Sequence, residues 1–158
     1  MPRLAVLFVA ATVWCYWLSV LVMNVRSHRK HRTSSGAVPR TGRERGMWLF
    51  WVPTVLAWQV FPVMAYRVSL PLIAVPDWVA ERPIVLLDVF AVAAALAAYA
   101  LTVPCWLTLG ANWSLAVVPQ KQTNLVTSGW YGRIRHPIYA LGLLLMLATV
   151  AVAPSPAM

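Results

Sequence analysis

Residues 84–109 read IVLLDVFAVAAALAAYALTVPCWLTL, with Asp88 the only charge. As a helix this stretch would reach about 39 Å, more than the roughly 30 Å of a bilayer's hydrocarbon core. Two further stretches, 4–23 and 47–66, are also about twenty residues long and apolar, and a fourth, 138–153, is shorter and runs into Pro154 and Pro156. Apolar residues make up 61% of the 158 positions and charged residues 11%, against about 45–50% and about 25% in soluble domains. A soluble core of this size could not hide that much apolar surface. The reading is an all-α, polytopic transmembrane helical bundle in one membrane domain, 1–158, with spans at about 4–23, 47–66, 84–109 and 138–153. The stretch at 4–23 is long for a signal-peptide core and has no small-residue cleavage site after it, so it is read as a retained helix.

The net charge of +9 raises nucleic acid as a partner, but the basic residues fall mainly in one loop between apolar runs, and that partner is set aside. Loop 24–46 holds Arg26, Arg29, Lys30, Arg32, Arg40, Arg43 and Arg45 with one acid, Glu44. The next loop balances Arg67 and Arg82 with Asp77 and Glu81. Loop 110–137 holds Lys121, Arg133 and Arg135 and no acid. The positive-inside bias therefore places loops 24–46 and 110–137 in the cytoplasm and the N-terminus outside. Trp48, Trp51, Trp78, Trp113 and Trp130 sit near the span ends, as aromatic belts do. The location expected is multi-pass, in a cell's inner or plasma membrane, with the bilayer as partner. The basic loop is read as a solvated topology determinant that also attracts anionic head groups.

Pro53 and Pro62 lie inside the second span and are read as kink positions. The run Ala91 to Ala100 reads as a close-packing face. Cys15 and Cys105 both lie in apolar runs and read as buried thiols, and no Cys/His spacing suggests a metal site.

Chemistry is concentrated in 109–142, LGANWSLAVVPQKQTNLVTSGWYGRIRHPIYALG. Gly129 and Gly132 permit tight turns and close approach of a ligand. Trp130 and Tyr131 offer ring faces for a purine. Pro137 fits the first turn of a helix, whose unpaired N–H groups suit a carboxylate. Without further information, Arg133, Arg135 and His136 read equally well as interfacial anchors.

The segment LVTSGWYGRIRHPIY, with LGANWS upstream, resembles the cofactor-binding core of the isoprenylcysteine carboxyl methyltransferase family and its phospholipid methyltransferase relatives. The matching residues are Leu125, Val126, Ser128, Gly129, Tyr131, Arg135, His136, Pro137 and Tyr139. The resemblance implies a small polytopic enzyme that uses S-adenosyl-L-methionine on a lipophilic acceptor at the cytoplasmic face. It implies that Thr123, Asn124, Leu125, Val126, Tyr131, His136, Pro137, Ile138 and Tyr139 line the cofactor pocket, with Gln120 joining them across a gap. No catalytic acid or base is assigned. The acceptor stays open: a prenylated cysteine carboxylate, a phospholipid amine or another lipophilic acid.

Members of that family carry a fifth span and a C-terminal segment with an arginine and a glutamate pair, and here no acid follows Asp88. The chain is therefore read as C-terminally truncated: a fragment, a homologue completed by another chain, or an inactive paralogue. A competing resemblance is to NADPH-dependent sterol reductases, through Ser128, Gly129 and Trp130. Those enzymes usually carry an Asn before the Tyr and Gly-Asp after it, whereas Ile138 precedes Tyr139 here and Ala140, Leu141 and Gly142 follow it.

Overall fold

A computed structural model describes residues 4–31, 41–80, 85–114 and 125–156. Among these residues every regular element is helical: α1 (Leu4–His31), α2 (Gly42–Met64), the short α3 (Asp77–Ala80), α4 (Val85–Leu109) and α5 (Pro137–Val152). Two 3-10 turns, Gly110–Asn112 and Gly129–Gly132, lie between α4 and α5. Three stretches, Leu4–Arg26, Gly42–Met64 and Leu86–Leu109, are long and apolar enough to cross a membrane. The chain is thus an all-helical bundle of membrane character. At 16 residues α5 is shorter.

Two helix ends lie beyond the apolar runs. Helix α1 continues past Met23 to His31. Arg26 and Arg29 sit near the negative end of its macrodipole, where cations favour continuation. Helix α2 starts at Gly42, ahead of Met47, because Thr41 and Glu44 close a capping box. The Glu44 N–H donates to Thr41 Oγ1 at 3.2 Å, and the Thr41 N–H donates to Glu44 Oε2 at 3.3 Å. Both Pro53 and Pro62 lie within the continuous α2.

The packing is inverted relative to a soluble protein. On α4 the residues Ala91, Ala95, Ala98, Thr102 and Cys105 are buried, while Phe90, Leu96, Leu101 and Leu107 are exposed. The spacing of that stripe follows the helical repeat, so one side of α4 is nearly flat and lets backbones approach closely. Valines 6, 9 and 13 of α1 and Leu145, Ala148 and Val152 of α5 fill the same core. The Ala91 to Ala100 run is thus the close-packing face its composition suggested, with α5 as the main neighbour of α4.

Polar contacts and a short connection fix the helix directions. The Tyr16 and Trp106 rings meet at 5.3 Å, and Ser19 Oγ shares a hydrogen bond of 2.8 Å with Tyr99 Oη. Only ten residues separate the end of α1 at His31 from the start of α2 at Gly42, so α2 runs back along α1. The Trp58 Nε1–H donates to Thr149 Oγ1 at 3.0 Å, and Tyr66 Oη donates to the Val152 carbonyl at 2.7 Å. That order makes α2 parallel to α5, which itself returns antiparallel to α4. The ends of α1 and α4 and the starts of α2 and α5 consequently share one end of the bundle, the loop end. That order places the chain's start and the end of α4 at opposite ends, as the loop charges did.

A polar pair between membrane helices contributes about 0.6 kcal/mol on average. Tyr99→Phe should therefore lower thermal stability in detergent only slightly. Trp58→Phe also vacates volume and leaves the Thr149 hydroxyl without its donor, so it should cost more. Thermal unfolding followed by circular dichroism checks the order.

Candidate functional site

The candidate site is built on the loop end of α4. Gly110 turns the chain with φ +48°, and the Trp113 N–H closes the first 3-10 turn on the Gly110 carbonyl at 3.2 Å. Trp113 is buried in the main core and anchors the departing chain. Residues 115–124 lie outside the described residues, and Gln120, Thr123 and Asn124 fall among them.

The chain returns at Leu125, which is 89% exposed, and Val126, which is half-buried. The second 3-10 turn then forms, with the Tyr131 N–H on the Ser128 carbonyl at 3.2 Å and the Arg133 N–H on the Trp130 carbonyl at 3.1 Å. Gly129 adopts φ +59°, and a Cβ there would lie 3.8 Å from Thr108 Oγ1 on the last turn of α4. Gly132 is needed for a different reason. A Cβ there would lie 2.6 Å from the Thr127 carbonyl oxygen, a backbone atom with little freedom to yield.

Tyr131 ties this turn to the bundle. Its Oη lies 3.4 Å from the Cys105 carbonyl and points its proton there. Burial, with a smaller contribution from Cys105, pushes the phenol up to about 12. Neither Cys105 nor Thr108 was singled out from the sequence as part of the site. The glycine pair was the only sign that backbone approached backbone here.

Arg133, Arg135 and His136 are exposed, while Pro137 is buried at the start of α5. His136 occupies the position before the helix without a side-chain cap bond, so the first-turn N–H groups carry no side-chain partner there. The His136 and Tyr139 rings meet edge to face at 5.6 Å. Tyr139 is 72% exposed, and Ile138 packs against the core. Of the residues read from the sequence, Tyr131, His136, Pro137, Ile138 and Tyr139 lie in one continuous turn and helix start, with Leu125 and Val126 leading into it. Leu125, His136 and Tyr139 are open to a ligand, whereas Pro137 and Ile138 position the helix. Among the described residues no group of three His, Cys, Asp or Glu could hold a metal.

The model of the isoprenylcysteine carboxyl methyltransferase (ICMT) family matches residues 90–158. Over these residues, somewhat under half of the chain, the protein is similar to that family. The match to that family begins within α4 and takes in both 3-10 turns and all of α5. It therefore contains every residue of the candidate site. No curated protein and no solved structure matches the chain.

The two glycines of α5 and its preceding turn should respond in opposite directions. Gly132→Ala meets the Thr127 carbonyl and should destabilise by about 1–3 kcal/mol, the cost of a strained backbone position. Gly142→Ala, with open space around its Cβ, should stabilise α5 by up to about 1 kcal/mol. Thermal denaturation of both variants decides it. The Tyr131 phenol predicts a second effect. Its pKa in the fold lies above the ordinary value of 10.0, so the unfolded chain ionises first and stability falls between about pH 10 and 12. Tyr131→Phe should reduce that loss, measured against the parent chain by denaturation across the alkaline range.

Proposed function

We propose that the chain is an integral membrane methyltransferase that takes its methyl group from S-adenosyl-L-methionine and passes it to a lipophilic acceptor at the cytoplasmic face of a cell's inner or plasma membrane. The observation that carries this reading is the coincidence of the family match with one continuous structural unit. That unit runs from Leu125 to Tyr139, at the loop end of a membrane bundle.

The residues present suit such a cofactor. The first-turn N–H groups of α5, uncapped by His136, favour the carboxylate of its amino-acid part. The exposed rings of Trp130 and Tyr139 offer faces for its adenine, and the open side chain of Leu125 offers apolar contact. Tyr131 would act mainly through position, since its hydroxyl is directed to the Cys105 carbonyl. Gln120, Thr123 and Asn124 complete the proposed set. When bound, S-adenosylmethionine supplies an electrophilic methyl group on a sulfonium. An acceptor already ionised as a carboxylate needs no base. The chain's task is then to hold the acceptor in line and exclude water. Set at the boundary of the bilayer, the site could receive its acceptor from the membrane.

Sidedness is supported by charge. The loop end carries Arg26, Arg29, Arg43, Arg45, Arg133 and Arg135, and the opposite end balances Arg67 with Asp77 and Asp88.

Calorimetry on the full chain in detergent tests the reading. Binding of S-adenosylhomocysteine but not NADPH is expected. Loss of a ring that stacks on a base costs about 1–3 kcal/mol, so Tyr139→Ala should weaken binding by about tenfold. No heat with either S-adenosylmethionine or its demethylated product would sink the proposal.

A further inference from the structure

The loop end of the bundle concentrates positive charge beyond what its helices need. The Trp58–Thr149 bond sets α2 beside α5. Counting back at 1.5 Å per residue, Arg43 and Arg45 lie about 20–22 Å below that bond along α2, and Pro137 lies about 18 Å below it along α5. Arg133 and Arg135 immediately precede Pro137. All four arginines are exposed. They share one tier, bordered by Trp48 in the second turn of α2 and by the exposed Trp130.

Helix stability does not explain this placement. Arg43 and Arg45 occupy the first turn of α2, the positive end of its macrodipole, where a cation is unfavourable. Arg133 and Arg135 stand before the positive end of α5 in the same way. Two helix N-termini and four guanidinium groups therefore converge at one end. Little negative charge offsets them. Of the chain's four acids, Asp77 and Asp88 sit at the opposite end, and Glu81 lies outside the described residues. Glu44 is in the tier, but its carboxylate accepts the Thr41 N–H in the capping box. A tier of guanidiniums flanked by indoles, at the level where apolar helices end, fits phosphates held at a bilayer surface.

We propose that Arg43, Arg45, Arg133 and Arg135 form a binding surface for the phosphate head groups of anionic phospholipids, so that the loop end is held against acidic lipid. The inference does not depend on methyl transfer, and cofactor binding measured by calorimetry can succeed or fail independently of it.

The test is native mass spectrometry of the full chain released from micelles holding equal amounts of phosphatidylglycerol and phosphatidylcholine. Phosphatidylglycerol should be retained preferentially, and the preference should fall as salt rises, as exposed charges require. The double variant R43Q/R45Q, which leaves the residues of the candidate site unchanged, should lower the preference by about fivefold or more. The quadruple variant should abolish it, with helicity by circular dichroism unchanged. Equal retention of the two lipids by the parent chain would overturn the proposal, as would a preference that survives in the quadruple variant. Displacement of the lipid by millimolar inorganic phosphate would also overturn it, by showing a site for free anion. Should the quadruple variant not fold, the double variant and the salt series on the parent chain still decide the outcome.

Discussion

Everything in this molecule leans on the close approach that small residues grant α4. In a bilayer, apolar side chains gain little by leaving lipid for protein, so association has to come from contact between well-fitted surfaces and from a few polar pairs. Ala91, Ala95 and Ala98 supply the flat surface, and the valines of α1 and Leu145 and Ala148 of α5 press against it. Larger side chains along that stripe would separate the helices by the width of a methyl group or more. The Ser19–Tyr99 bond and the Tyr16–Trp106 contact could then no longer form together. The large apolar residues are turned outward, where lipid is an adequate solvent for them.

The same helix carries the candidate site. Where α4 ends, its last turn serves as the floor for the returning chain. Gly129 rests near Thr108, and Tyr131 reaches the Cys105 carbonyl. The turn 129–132 is thus referenced to the rigid part of the bundle instead of floating on a long loop, which is the condition for placing a reacting group accurately. The family match follows this unit, from within α4 to the end of α5, and leaves α1 and α2 outside it. Those two helices contribute packing and charge around the unit.

Much of this was legible in the residues. Long apolar runs gave the helices, and the Ala-rich run gave the packing face. The motif around His136 and Pro137 gave both the family resemblance and the start of α5. Helix ends were read less well, because they were taken from hydrophobicity alone. Thr41-Gly42-Arg43-Glu44 carries a capping-box pattern that announces the start of α2, and a cation near a helix C-terminus, as with Arg26 and Arg29, signals continuation. Helix direction was legible as well. Alternating loop charge placed the start of α1 opposite the end of α4, and the short connection between α1 and α2 requires the same order. The support under the site was hidden, since it consists of backbone carbonyls at Cys105 and Thr127, which have no letter in the sequence.

One detail of the α5 start has a mechanical consequence. His136 stands ahead of Pro137 with φ −132° and ψ 64°, and a residue followed by proline is sterically turned away from helical torsion angles. The first turn of α5 therefore cannot zip backward into the preceding loop, whatever that loop does. The boundary between loop and helix is thereby set at Pro137, and the register of α5 against α4 is set with it.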